Sequence, residues 1–286
     1  MTEKAITIRE QKAHKDYTKI KLTVLLILLG ILLLAAAFAP HVSPFDPYEQ
    51  DLGSALQGPS DAHIFGTDRY GRDMLSRVIM GSQTTIFSAL LLVCIITVVG
   101  TVIGIFCGYH GGKLDAVLMR ISDIFLAFPG MVFAIAVAGV LSGGLSNAVV
   151  ALACISWPKF ARLARSQVMT VKDAPYIAAA KLAGSGTIKI MIKHILPNIA
   201  GAIIVTAVLD IGTMIMELAG LSFLGLGATP PTAEWGSMMS NGRSMLQTCP
   251  WVVLAPGFAI FITVVLFNLL GDTVRDVLDP RNSASY

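Results

Sequence analysis

Asp210 and Glu217 are acidic side chains within a long apolar stretch, where a charge must be partnered or used. Seven residues separate them, so a helix would place both on nearly one face. An ionised carboxylate at mid-bilayer costs about 2.5–3.5 kcal/mol on insertion scales, so both should face protein or water. One hypothesis makes them the polar lining of a translocation path, or a direct contact for a cationic substrate. The alternative makes them structural hydrogen-bond partners of a neighbouring helix, with Glu217 near the outer interface.

Residues for catalysis or metal binding form no recognisable pattern in the sequence. The histidines His63, His110 and His194 have no second histidine at helical i+4 spacing, so we predict no metal site built by this chain. Gly66 and Gly71 are followed by Arg-Asp rather than by Lys and Ser or Thr, which excludes a phosphate-binding loop. No Ser-His-Asp order points to a hydrolase. We therefore predict no catalytic residue, no cofactor held by this chain and no ATPase site.

The composition is that of a membrane protein. Hydrophobic residues make up 55% of the chain and charged residues 14%, against about 45–50% and 25% in soluble domains. Several apolar stretches are long enough to cross about 30 Å of hydrocarbon. We predict an all-α polytopic membrane protein with six transmembrane helices, near residues 22–40, 84–109, 116–141, 146–164, 199–223 and 251–271. The third stretch is the least uniformly apolar of the six, because Arg120 and Asp123 lie near its start.

The distribution of basic residues predicts how the chain is oriented. Most of its 21 Lys and Arg residues fall in segments that share one side of the membrane, which places both termini in the cytoplasm. The first apolar run is long for a signal peptide and lacks a good cleavage site, so we predict an uncleaved helix. The predicted organisation is a cytoplasmic tail, a first transmembrane helix, an extracytoplasmic cap loop, a five-helix core and a cytoplasmic C-terminal tail, at residues 1–21, 22–40, 41–83, 84–272 and 273–286.

The longest charged interruption in the apolar part of the chain is Asp173–Asn198, and its pattern predicts two short helices. We expect Asp173 to cap the first helix and Gly184 to close it in a left-handed conformation. The second helix shows apolar residues at helical spacing, and Pro197 should end it. A pre-formed helix with small side chains suits docking of a partner. An ordinary connector between two membrane helices would show the same spacing.

Other segments predict packing rather than chemistry. Gly100, Gly104 and Gly108 form a small-x-x-x-small stripe, which lets two helix backbones approach closely in lipid. The alternating charges of Phe65–Arg77 are typical of a solvated face. Pro230-Pro231 and the glycines around it exclude a long helix there, so we predict a re-entrant or gate-flanking loop.

Several short motifs occur in a characteristic order along the chain. They are Phe65–Arg77, Ala179-Ala180, Gly184, Leu196-Pro197, Leu221–Gly227, Pro231–Gly236, Asn268–Asp272, Arg275-Asp276 and Leu278–Pro280. Through these motifs the chain resembles the C-type permease subunits of dipeptide, oligopeptide and nickel ABC importers. The segment Asp173–Asn198 is similar to the EAA loop of such permeases, except that Ala178 stands where Glu is usual and His194 where Ile is usual.

The resemblance implies a type I permease core with a cytoplasmic coupling loop at 165–198. The first helix of that loop would insert into a groove of an ATPase subunit. The residues expected to couple the two subunits are Tyr176, Ala179, Ala180, Gly184, Leu196 and Pro197. The implied partners are a homologous second permease, two cytoplasmic ATPases that bind ATP and Mg, an extracytoplasmic substrate-binding protein and membrane lipid, with no nucleic acid. The implied location is the plasma (inner) membrane of a bacterium or archaeon.

The cargo is the least constrained expectation. Leu209–Gly212 and Thr232–Gly236 are similar to nickel-type members, which favours nickel or a nickel chelate as cargo. A dipeptide or oligopeptide is the alternative. A more remote one is an ion-coupled secondary transporter that uses Asp210 and Glu217 as proton or cation sites, although we find no inverted repeat. An intramembrane enzyme is disfavoured, because no His or Ser nucleophile accompanies the two acids.

Overall fold

A computed structural model describes residues 2–278 of the chain, with side chains described for residues 18–277. Within that part the protein is helical and contains no strand longer than one isolated bridge. The helices are α1 Thr2–Ala37, α2 Ala39–Val42, α3 Met74–His110, α4 Gly112–Ala127, α5 Gly130–Val140, α6 Leu145–Val171, α7 Pro175–Leu182, α8 Thr187–Ile190, α9 Leu196–Phe223, α10 Trp235–Gly242 and α11 Trp251–Leu278. The predicted all-α class is confirmed. The Asp279-Pro280 part of the C-terminal motif, and most of the predicted tail 273–286, lie outside the described residues.

Length and composition support fewer membrane spans than the six predicted. In the described part of the chain, 4 helices are long and apolar enough to cross a membrane, namely Thr18–Ala37, Met74–His110, Thr187–Phe223 and Trp251–Val277. The bent pair of α4 and α5 makes a fifth span if it is counted as one. The remaining predicted span, 146–164, falls within α6, which is not in that set. The cause is charge, because Lys159, Arg162 and Arg165 occupy its second half.

The predicted third span, 116–141, is not one helix. It is broken between α4 and α5, whose axes differ by 94°. Phe128, the residue before Pro129, is extended at φ −94° and ψ 147°, because a proline ring disfavours the helical conformation in the residue that precedes it. The rings of Phe128 and Phe133 then stack with centroids 6.0 Å apart, across the break.

Close packing of α3 against α6 forms the centre of the fold. A Cβ atom at Gly100 would lie 2.5 Å from the carbonyl oxygen of Trp157, and one at Gly108 would lie 2.8 Å from Cβ of Val168. Gly104 meets α6 between these two points. The contacts advance in the same direction along both helices, so α3 and α6 run parallel. The predicted role of the glycine stripe in helix packing is therefore confirmed.

Helix α9 crosses α11 at a similarly close distance. A Cβ atom at Gly212 would lie 2.7 Å from Oδ1 of Asn268, and one at Gly271 would lie 2.5 Å from Cδ2 of Leu209. Glycine at both positions thus leaves room for the side chains of Asn268 and Leu209 at this crossing.

Helix α3 begins at Met74, ten residues earlier than the predicted span, so the last part of the predicted cap loop 41–83 is helical. Asp73 is its N-cap, and Oδ2 accepts hydrogen bonds from the backbone N and Oγ of Ser76, each at 2.7 Å. The cap loop is fastened to the rest of the fold by Trp251, whose Nε1 donates to the carbonyl of Thr67 at 3.1 Å. We call this end of the bundle the cap end, and the opposite end, where α6 joins α7, the docking end.

Candidate functional site

The docking segment, Asp173–Asn198, begins with the short helix α7. The expected N-cap at Asp173 is wrong: the capping position is Ala174, in extended backbone, and no side chain caps the helix. Pro175 follows at the first helical position, where its missing N–H costs nothing because that group has no intrahelical partner.

Gly184 ends α7 as predicted, in a left-handed conformation with φ +76°. The backbone N of Gly184 donates to the carbonyl of Lys181, and that of Ser185 donates to the carbonyl of Ala180, both at 3.0 Å. These two bonds make up a Schellman motif, which satisfies carbonyl groups that the helix end would leave unpaired. The sharp turn that follows is therefore fixed by backbone hydrogen bonds.

The second predicted helix does not end at Pro197. Instead, α8 continues through a π-helical stretch, Met191–Ile195, directly into α9. A proline ring normally clashes with the carbonyl four residues earlier, and the wider π turn accommodates it. The side chain of Asn198 donates to the carbonyl of His194 at 2.7 Å, which satisfies one of the carbonyls freed there. The second half of the docking segment is thus the foot of a continuous helix, Thr187–Phe223.

Apolar side chains are presented outward along the docking segment. Leu182 is 90% exposed, Ile188 72% and Ile192 62%. Fully buried Ile177 and Ile195 anchor the opposite side. A contiguous exposed apolar surface of this kind is typical of a partner-binding surface.

The predicted coupling residues lie on or beside this surface. Tyr176, Ala179, Gly184 and Pro197 are exposed, whereas Ala180 and Leu196 are half-buried. Sequence reasoning missed Leu182 and Ile188, although both are apolar residues in the segment that it singled out. Lys181 is held towards α3, with Nζ 5.4 Å from the ring centroid of Tyr109.

A charged pair joins α6 and α9 farther along the bundle. Asp210 is only 2% exposed, and Oδ1 lies 2.5 Å from Nζ of Lys159. Oδ2 of Asp210 is buried without a hydrogen-bond partner among the described residues. The Lys159 side chain is 52% exposed, so the ammonium group is the part of the pair that reaches the surface.

Glu217 is half-buried, two turns farther along α9, and it interacts electrostatically with both Asp210 and Lys159. The structure thus brings the two predicted acids to one region, as their spacing indicated, and adds the lysine that sequence reasoning missed. Lys159 lies within the predicted span 146–164, where a cation is as costly as an acid. That position was the signal that could have paired it with Asp210.

The other two cations of α6 are paired with acids of α4. Arg165 binds Asp115 in a bidentate geometry, with N–O distances of 2.6 and 2.7 Å. Arg162 pairs with Asp123 one turn nearer the middle of the bundle. Side chains three residues apart on α6 therefore hold α4 at the docking end.

The segment Phe65–Arg77, which we call the cap turn, has buried charges, so its predicted solvated face is wrong. Asp68, Arg72 and Arg77 are buried. Oδ2 of Asp68 accepts a hydrogen bond from Nε of Arg72 at 2.7 Å, and Oδ1 accepts one from the backbone N of Tyr70 at 2.8 Å. The charges that looked like surface charges are therefore interior ion pairs.

The loop after α9 closes the same end of the bundle. Pro230-Pro231 has a cis peptide bond, and the stretch from the end of α9 to Glu234 contains no helix, as predicted. Glu234 then caps α10, accepting hydrogen bonds from the backbone N of Gly236 at 2.9 Å and of Ser237 at 2.8 Å. Burial raises the pKa of Glu234, and these hydrogen bonds oppose that effect.

Trp235, which follows the cap, is almost fully buried against α3. Its Nε1 donates to the carbonyl of Val78 at 2.9 Å. The short helix α10 is thus fixed to the first turns of α3. Among the described residues, no group of three or more His, Cys, Asp or Glu side chains is arranged to hold a metal ion.

The described part of the chain is a bundle of long apolar helices with buried polar residues in its core and an exposed apolar face at one end. The family model for the inner membrane component of binding-protein-dependent transport systems matches residues 100–284. A model for the N-terminal transmembrane domain of oligopeptide transport permease C matches residues 23–59. The chain belongs to this permease family, and it is a multi-pass component of the inner membrane rather than an enzyme.

Curated relatives resemble the chain over most of its length. The dipeptide transport system permease protein DppC of Alkalihalophilus pseudofirmus is 42% identical, over 95% of this chain and 90% of that protein. The probable D,D-dipeptide transport system permease protein DdpC of Escherichia coli is 43% identical, over 89% and 86% respectively. The glutathione transport system permease protein GsiD of Pectobacterium atrosepticum is 42% identical, over 89% and 85%.

A solved structure shares the fold. An inward-facing conformation of the MetNI methionine ABC transporter superposes with a TM-score of 0.58, over 71% of this chain and 97% of that chain, at 20% sequence identity.

Proposed function

We propose that the chain is the C-type permease half of an ATP-driven importer for dipeptides or related short peptides. The observation that carries this proposal is identity of 42–43% over about nine-tenths of the chain to relatives named for dipeptide, D,D-dipeptide and glutathione transport. The expectation of nickel or a nickel chelate rested on two short segments, and the names of these relatives do not support it. The alternative of a peptide cargo is the better supported one.

The proposed assembly pairs this chain with a homologous second permease, two ATPases that bind ATP and Mg, and an extracytoplasmic substrate-binding protein. The docking end faces the cytoplasm in this arrangement, as do both termini, and the cap end faces the binding protein. The exposed apolar face of the docking segment supports the ATPase contact, because a contiguous exposed apolar surface is typical of a partner-binding site.

In the proposed coupling mechanism, Leu182, Ile188 and the predicted residues around them dock on the ATPase. Closure of the ATPases on ATP displaces α7, and the Schellman turn at Gly184 passes that displacement to the foot of α9. No break in the helix separates this foot from Asp210 and Glu217. The motion therefore reaches the membrane interior through a single rigid element.

In the proposed path, the two acids have different roles. Asp210 is buried behind Lys159, so it positions the lysine ammonium instead of meeting cargo. Glu217 is more exposed and supplies the negative charge of the path. A peptide carries an ammonium and a carboxylate, and the half-exposed Lys159 and Glu217 offer one group of each complementary sign.

Uptake by reconstituted vesicles tests this function. The complete complex with its binding protein should accumulate a radiolabelled dipeptide only with internal ATP, and an uncoupler should not abolish accumulation. A matched complex with an inactive ATPase is the control. Accumulation of ⁶³Ni²⁺ in place of dipeptide would overturn the cargo, and uptake by this chain alone on an ion gradient would overturn the ATP-driven mechanism.

A further inference from the structure

The inward face of α7 carries a lysine that is paired with an aromatic ring. Ile177 and Lys181 are four residues apart, so they lie on the same face of the helix. Ile177 is fully buried, which shows that this face points towards the bundle. Among the described side chains, no carboxylate pairs with the ammonium of Lys181, and its partner is the ring of Tyr109, 5.4 Å from Nζ to the ring centroid. A cation at this distance from a ring is attracted by the electron density of the ring face.

Tyr109 lies in the last turn of α3, which ends at His110. The C-terminal end of a helix carries partial negative charge, so the helix end attracts the ammonium of Lys181 as well. Apolar packing at Ile177 and Ala180 also attaches α7 to the core, but such packing has no preferred direction. The contact between Lys181 and Tyr109 is therefore the directional link from α7 to α3.

A displacement of the end of α3 is shared with α6, because the two helices pack closely along the glycine stripe. Gly108 precedes Tyr109 directly, and a Cβ atom at Gly108 would lie 2.8 Å from Cβ of Val168 on α6. Close-packed elements transmit strain. The same helix α6 carries Lys159, whose partner Asp210 lies on α9. Helix α7 is thus linked to both of the helices that hold this ion pair.

We propose that Lys181 and Tyr109 are positioning residues that pass the displacement of α7 to α3 and α6, by a route separate from the foot of α9. This inference rests on the proposed docking of α7 on the ATPase. The route through α9 moves Asp210, and the route through α3 and α6 moves Lys159. Without the contact, α7 still docks and still moves α9, but α6 does not follow.

Hydrogen exchange in the complete complex with its ATPases tests the contact without any cargo. Amide exchange in the last turn of α3 is compared between the nucleotide-free complex and the complex with a non-hydrolysable ATP analogue. We expect the nucleotide to change the exchange rate in that turn about two- to fivefold, the range that an exposed cation–π contact supports. Lys181→Met should abolish this change while the ATPase stays bound, and Lys181→Arg, which keeps a cation, should retain it. Lys113→Met removes another exposed lysine at the docking end and should behave like the wild type.

Variants of Tyr109 test the ring. Tyr109→Phe keeps the aromatic face and should keep the nucleotide-dependent change, whereas Tyr109→Leu should lose it. In reconstituted vesicles, Tyr109→Leu should also hydrolyse about two- to fivefold more ATP for each dipeptide imported. A merely structural role would lower ATP hydrolysis and import together, and the ratio between them would stay constant.

The outcomes separate this inference from the proposed function. A nucleotide-dependent change at the foot of α9, with none at the end of α3 in the wild type, overturns the second route alone. No change at either place overturns the proposed ATPase docking as well. An unchanged response in Lys181→Met, or equal losses in Tyr109→Phe and Tyr109→Leu, also rejects the contact. Should Tyr109→Leu fail to assemble, the variants of the exposed Lys181 decide.

Discussion

The cap turn and the docking segment look alike in sequence, since each is a charged interruption between apolar stretches, but they fold in opposite ways. The cap turn buries its charges, with Arg77 only 4% exposed, whereas the docking segment exposes its apolar residues, with Leu182 at 90%. Buried ion pairs make the first region self-contained. An exposed apolar face makes the second incomplete until a partner covers it. Both segments carry charges between apolar stretches, so it is the burial of their side chains that distinguishes the structural element from the binding surface.

The largest effect should come from breaking the cap turn. Asp68→Ala leaves Arg72 and Arg77 buried without their carboxylate, at a cost of about 3–5 kcal/mol. We expect loss of the monodisperse peak in size-exclusion chromatography of detergent extracts. Asp61→Ala, an exposed carboxylate in the same loop, should behave like the wild type. Equal yields and Tm values for the two variants would show that the cap turn does not depend on its ion pairs.

A second prediction concerns the ion pair on α9, the helix that runs between the two ends. Lys159→Met leaves the buried Asp210 carboxylate unpaired, at a cost of about 3 kcal/mol. Asp210→Asn should cost less, about 1 kcal/mol, because the half-exposed lysine can turn away. Thermal unfolding in detergent measures both, and adding Asp210→Leu to Lys159→Met should restore part of the lost stability. A smaller loss for Lys159→Met than for Asp210→Asn would contradict this asymmetry.

Substitutions on the exposed face of the docking segment should leave the stability of the fold unchanged but weaken the binding of the ATPase. Leu182→Asp places a charge at the centre of the exposed apolar face, and we expect an effect of about 2 kcal/mol, roughly thirtyfold, on ATPase association. Pull-down with the co-expressed ATPase measures it, while Tm stays unchanged. Leu52→Asp is the matched control, since Leu52 is 72% exposed but lies in the cap loop. Equal loss of ATPase in both variants would refute a localised docking surface.

The smallest expected effect is a pH dependence at the cap end. Because burial raises the pKa of Glu234, the folded protein binds this proton more tightly than the unfolded chain. The stability gained from the proton is fully present below the ordinary Glu pKa of about 4.3 and is lost as pH rises through the higher folded value. Glu234→Gln should flatten the fall in Tm that accompanies a rise in pH above that ordinary value. An unchanged slope would assign the pH dependence to another group.

The parts of the fold that could be predicted from sequence are those set by local chemistry. The left-handed turn at Gly184 and the close packing at Gly100 and Gly108 both follow from the absence of a Cβ atom in glycine. That property depends on the residue alone and not on the rest of the fold. The break before Pro129 has the same kind of local cause, but the apolar run on both sides masked it. A local sequence signal therefore predicts the structure best where no longer pattern, such as a continuous apolar run, masks it.

The features that sequence could not give depend on neighbours distant in the chain. The sequence assigns Lys159 no partner, because only the fold shows that Asp210, on another helix, lies 2.5 Å away. The charges of the cap turn are interior because Trp251 and α10 close over them. Pro197 does not end its helix because a π turn absorbs the ring, and no periodicity in the sequence signals that turn.

The continuity of Thr187–Phe223 has a mechanical consequence when combined with the crossing at Gly212 and Gly271. A rod of 37 residues is about 55 Å long at the α-helical rise of 1.5 Å per residue. Glycine on each helix lets α9 and α11 approach closely where they cross, with side chains of the partner helix packed against both glycines, so we expect α9 to pivot about this crossing. A rod turning about such a point moves its ends in opposite directions, and a push on its foot that narrows one mouth of the bundle widens the other.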